Sequence, residues 1–183
     1  MHEEWGPLAK LIGTWEGDKG LDISIHHDET EQEETPYRER ASFTPFGPVQ
    51  NAGQTLYGLD YRTQAWPIGD ENPFHMEVGY WLWDSAAGTV MRCFMVPRGQ
   101  TILAGGQAGA NVSRFAMRAE VGSETFGILS NPHLAKNAHT TRYVCEIAID
   151  GDTWSYDETL TIALRKTGRD YSHRDRNTLR RVG

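Results

Sequence analysis

The stretch that most restricts the fold runs from Thr140 to Arg165, where two alternating runs flank Asp150-Gly151-Asp152. Asp-Gly between alternating runs is a strong hairpin signal, because the tight turn needs a positive φ that glycine adopts without a steric penalty. On the second arm Trp154, Tyr156, Glu158, Leu160, Ile162 and Leu164 share a face, and Ser155, Asp157, Thr159, Thr161 and Ala163 share the other. An isolated hairpin with one apolar face is only marginally stable in water, so this one has to join a larger sheet.

The rest of the chain supplies that sheet. Leu8, Leu11 and Ile12 mark one helical turn begun by Pro7 and stopped by Gly13, after which Thr14 to Ile25 reads as a first strand broken by Gly17 and Gly20. Tyr37–Phe46 alternates as a second strand, stopped by Pro45 and Gly47-Pro48, and Gln54–Trp66 gives a third. Phe74–Asp84 is the most aromatic run, with His75, Glu77, Gly79, Trp81 and Trp83 on one face and Phe74, Met76, Val78, Tyr80 and Leu82 on the other. Thr89–Val96, Thr101–Ala104, Arg114–Val121 and Thr125–Ser130 follow, the third and fourth separated from their neighbours by the Gly-rich stretch 105–110 and by Gly122-Ser123. About ten strands joined by short turns close most simply as an all-β antiparallel up-and-down barrel, with the short N-terminal helix across one end. A barrel of that strand number is wider than its side chains fill, so a cavity is expected inside. With 183 residues and neither repeat nor linker, the chain reads as one domain spanning 1–183.

A net charge of −7 argues against a nucleic-acid partner, which needs a basic face. Acidic residues crowd one loop (Glu29, Glu31, Glu33, Glu34) and basic ones the C-terminal stretch (Arg165 to Arg181), either as solvated surface or as contacts for an anionic group or a partner. No apolar run reaches a membrane span, and Met1-His2-Glu3-Glu4 opens no signal peptide, so a cytoplasmic location without membrane contact is expected. Cys93 and Cys145 lie in apolar strand patterns, as expected of two reduced thiols. There is no nucleophile elbow, P-loop, dinucleotide fingerprint or His-Glu-x-x-His motif.

The histidines remain. His2, His26, His27, His133 and His139 sit in or beside polar segments, and the adjacent pair His26-His27 points to opposite sides of an extended chain. His75 begins a face that looks inward, where its ring needs Glu77 or a ligand as partner. His173, in Asp170–Asn177, follows the run ending at Arg165, where the chain folds back across the mouth; it serves equally as a satisfied structural imidazole or as a ligand.

Three segments in order, Leu11-Ile12-Gly13-Thr14-Trp15-Glu16-Gly17, His75-Met76-Glu77-Val78-Gly79-Tyr80, and Asp150–Tyr156 followed by a strand and a His, resemble the nitrobindin family, haem-binding calycin-like barrels related to the C-terminal domain of THAP-type proteins. The resemblance implies haem b in the cavity, held at iron by His173, with His75, Thr14 and Leu160 also in the cofactor site. It further implies nitric oxide binding and isomerisation of peroxynitrite to nitrate at ferric haem. The chain departs from the family where Lys19 and Leu21 replace glycines and where Arg174-Asp175-Arg176 follows His173. The alternative on the same cavity is a non-enzymatic carrier of a small apolar or amphipathic ligand without haem; a homodimer is compatible with either.

Overall fold

The structure, a computed structural model, describes residues 3–25 and 31–183. His2, the pair His26-His27 and Glu29 of the acidic loop lie outside the described residues.

Strands β1 (Gly13–Ser24), β2 (Glu33–Asn51), β3 (Gln54–Pro67), β4 (His75–Asp84), β5 (Thr89–Val96) and β6 (Gln100–Gln107) follow one another as antiparallel neighbours. Next come β7 (Arg114–Glu120), β8 (Ile128–Ser130), a short helix α1 (Pro132–Asn137), β9 (Ala138–Asp150), β10 (Thr153–Leu164) and β11 (Arg169–Arg181). β5 pairs with β6 and β1 with β11, so ten strands close an antiparallel barrel. The remaining strand, β8, completes the stave begun by β7: β6 meets β7 at Gly105 and β8 at Gln100–Ile102.

The hairpin expected at Asp150-Gly151-Asp152 is present, with Thr153 opposite Asp150 and Gly151 at φ +56. Other boundaries moved. β2 runs past Pro45, which stays in register opposite Leu59, and past Gly47-Pro48, where a bulge between Phe46 and Val49 removes the need for ladder donors. Asn131-Pro132 starts α1: the Asn131 side chain accepts from the His133 and Leu134 amides, and Pro132 occupies the first turn. Asp170–Asn177, expected to cross the mouth, instead lies within the closing strand β11, so His173 is in the last strand and not after it.

The N-terminal segment Glu3–Leu11 is a 3₁₀ helix kinked at Gly6, and it buries Leu8 and Leu11 completely. It covers one end of a core of Trp15, Phe43, Leu59, Trp81, Trp83 and Trp154. Edge-to-face contacts lock these rings, Trp15–Trp154 at 6.1 Å and Phe43–Trp154 at 5.2 Å between centroids. That end of the barrel is therefore packed solid, and the expected hollow is confined to the opposite end. Both cysteines are free thiols. Among the described residues no helix is long and apolar enough to cross a membrane.

Candidate functional site: a cavity above buried charges

Strand alternation points His75 and Glu77 of β4, Glu158, Leu160 and Ile162 of β10, and His173 and Asp175 of β11 toward one cavity of about 230 Å³. Its wall is apolar, with Phe74, Phe94, Ile102 and Leu134 beside Leu160 and Ile162, and Arg98 stands exposed at the rim. The inner end is charged. There Arg92 of β5, 5% exposed, reaches Glu77 Oε2 at 2.5 Å and Glu158 Oε2 at 2.8 Å. The same guanidinium donates to the hydroxyls of Tyr143 and Tyr61, while Tyr143 donates to Glu158 and Tyr61 to Glu77. Phe94 stacks under it, with 4.3 Å from guanidinium carbon to ring centroid. A buried cation between two carboxylates is tolerable because each charge has a hydrogen-bonded counterpart.

His75 Nε2 lies 3.1 Å from Glu77 Oε1. Burial disfavours its imidazolium, but the hydrogen bond and charge of Glu77 outweigh that and push the ring up to about 9. Burial likewise opposes ionisation of Glu77, yet Arg92 and His75 hold its carboxyl well below the usual range.

His173, on the neighbouring wall, places Nε2 2.5 Å from Asp22 Oδ2 of β1, and Ser24 donates to the other oxygen of Asp22 at 2.5 Å. A carboxylate on one imidazole nitrogen fixes the ring and leaves the second nitrogen as a metal donor. By its donor chemistry His173 would hold a haem iron through Nδ1, the nitrogen that Asp22 does not bond. The cavity's volume of about 230 Å³ is below the roughly 300–1,000 Å³ typical of ligand pockets. Among the described residues no cluster of three or more His, Cys, Asp or Glu side chains is arranged to hold a bare metal ion.

Three of the four residues singled out from sequence, His75, Leu160 and His173, line this cavity. Thr14 does not: it sits on the β1–β11 seam, where its amide donates to Gly183 O at 2.6 Å and its carbonyl accepts from Val182 at 2.8 Å. Of the basic C-terminal stretch, Arg174, Arg176 and Arg180 lie on the outer face of β11, and Arg174 pairs with Asp157. Arg181 shares the parity of Leu179: its guanidinium lies over the Trp15 ring, donates to the Lys10 carbonyl and pairs with Asp152. Sequence reasoning missed Arg92, Tyr143 and Asp22. The one available signal was a charged residue at an inward position of an apolar strand, as Arg92 is between Val90 and Phe94.

A second group of polar side chains lies beneath the cavity. Glu39 of β2 accepts from Thr63 at 2.7 Å, from Tyr156 at 2.8 Å and from Asn177 at 2.8 Å. Tyr156 and Tyr37 hydroxyls are 2.7 Å apart, and Tyr37 donates to Asp175.

The family model for the THAP4-like, heme-binding beta-barrel domain matches residues 4–181. A peroxynitrite isomerase of Leifsonia xyli subsp. xyli (strain CTCB07) is 40% identical over 76 residues, 41% of this chain and 33% of that protein. A peroxynitrite isomerase of Clavibacter michiganensis subsp. michiganensis (strain NCPPB 382) is 34% identical over 77 residues, with the same coverage of 41% and 33%. The matched stretch thus spans about a third of each curated relative. The crystal structure of Rv2717c from M. tuberculosis superposes with a TM-score of 0.66 at 21% identity, covering 96% of this chain and 95% of that one, a likeness of fold.

Proposed function

The chain belongs to the THAP4-like, heme-binding β-barrel domain family, and from that premise we propose that it binds haem b in the cavity through His173 and acts on nitrogen oxides, isomerising peroxynitrite to nitrate. The observation that carries this reading is the His173 imidazole in the cavity wall, with one nitrogen held by Asp22. Two relatives named peroxynitrite isomerase, each matched over part of its length, support the choice of substrate.

Bound ferric haem supplies the redox-active iron at which such an oxidant rearranges. The chain's own residues do the rest. Asp22 holds the imidazole in one orientation, Phe94, Leu160 and Ile162 keep water from the wall, and Arg98 at the rim offers a cation to ligand carboxylates. His75 keeps a proton on the inner side, where it faces an anionic guest as a donor.

Titration of the purified protein with ferric haem tests the reading. A Soret band that saturates at one equivalent and is lost in His173→Ala is expected. A band that fails to saturate, or that ignores the substitution, overturns it. A second reading, a carrier of a small amphipathic ligand without haem, is favoured by the modest 230 Å³ of the cavity and its apolar wall over a polar end. Native mass spectrometry that finds such a ligand, together with no saturable Soret band, selects it.

A further inference from the structure

One sector of the outer barrel wall carries no charge. β3, β7, β9, β10 and β11 each hold charged side chains at outward positions, whereas β4, β5, β6 and β8 hold none. Residues opposite one another across these strands form two rows, Val78–Met95–Thr101–Leu129 and Tyr80–Cys93–Leu103. Val78, Tyr80, Met95 and Leu129 are 41 to 75% exposed. Strand spacing and rise give the patch about 15 Å by 20 Å, roughly 300 Å² in projection. A contiguous exposed apolar patch of that order marks an interaction surface.

The border of the patch tells what covers it. On β3 the two rows end in opposite charges, Arg62 beside Val78 and Asp60 beside Tyr80. Neither charge is paired among the described residues. A two-fold axis lying across the strands between the rows, along the line Tyr61–Gly79–Phe94, exchanges them. It sets Asp60 against the partner's Arg62, and Arg62 against the partner's Asp60, and it lays each apolar row on the other. Shape agrees with this. Arg62, Met76, Val78 and Met95 line an outer groove of about 370 Å³, and the same axis brings the partner's half-exposed Tyr80 over it. Area agrees as well, since such a patch supplies the apolar centre of an interface of roughly 800 Å² per partner whose rim is polar. A lipid surface lacks the match: the border charges are one of each sign, and the chain carries a net charge of −7.

We propose that the outer wall of β4, β5, β6 and β8 is the interface of a two-fold homodimer, in which Tyr80 of each chain seats in the groove of the other. β4 and β5 carry His75, Glu77 and Arg92 on their inner side, so the charged walls of the two cavities stand back to back. The pairing does not depend on haem and goes beyond the activity proposed above.

Sedimentation equilibrium of the haem-free protein tests it. A species of two chains is expected at micromolar concentration. Tyr80→Glu is expected to raise the dissociation constant at least about tenfold, with unchanged near-UV circular dichroism. If that variant fails to fold, Met95→Lys, at another exposed position, takes its place. The charge pair tests the axis: Asp60→Arg weakens the dimer, and Asp60→Arg combined with Arg62→Asp restores it. A chain that stays monomeric up to about 100 μM overturns the proposal. So does a dimer indifferent to Tyr80→Glu, or one that the double charge exchange fails to restore. A monomer that co-sediments with phosphatidylcholine–phosphatidylglycerol vesicles, and loses this in Tyr80→Glu, shows that lipid covers the face and overturns it too.

Discussion

Arg92 decides the stability of the inner wall. It is the cation between Glu77 and Glu158, and it also ties Tyr61 and Tyr143 to them. Arg92→Leu would leave two buried carboxylates without that cation, at a cost of about 3–5 kcal/mol in urea unfolding. The neighbouring pair gives a pH signature. His75 is pushed from 6.5 up to about 9, so the folded state keeps a proton that the unfolded chain releases above 6.5. Its contribution is complete below 6.5 and is lost as pH climbs through about 9, so the urea midpoint should fall across that window and His75→Gln should flatten the fall. Glu77 acts at the other extreme: depressed below its usual value, it stabilises above the ordinary carboxylate range and ceases to do so in strong acid.

At the level of elements, β11 explains both what the sequence hid and why. Its inward positions are Tyr171, His173, Asp175, Asn177 and Leu179, mostly polar because they serve the cavity and the groups beneath it. Alternation of hydrophobicity therefore fails to announce the strand, although alternation of burial is clear once the barrel is closed. β10, its neighbour, has apolar inward residues at Trp154, Leu160 and Ile162, and its face was legible. The opening strand β1 carries another concealed constraint. A Cβ at Gly20 would lie 2.2 Å from the Tyr37 ring, so the glycine beside the β1 bulge is what admits that ring. Gly20→Ala should destabilise the protein by about 1–3 kcal/mol in denaturant unfolding, through displacement of Tyr37 and not through strand propensity.

At the level of the molecule, barrel closure, the hairpin at Gly151 and the N-terminal cap followed from turn residues and period-two patterning, which are local signals. The distribution of the interior did not. Ten strands enclose more space than this chain leaves open, because Trp15, Trp81, Trp83 and Trp154 fill one end, and only contacts between distant strands decide which end. Of the site, His75 could be named from its strand face, and Leu160 and His173 through the family resemblance. Arg92 announced itself only as a charge at an inward position between Val90 and Phe94, and Asp22 not at all, since the partners of both lie far away in sequence. The tryptophan-packed end also makes the vessel single-doored. Among the described residues a guest has to leave by the end it entered, where Arg98 and Phe74 stand, so residence time should respond to changes at that threshold while changes at the sealed base leave it untouched.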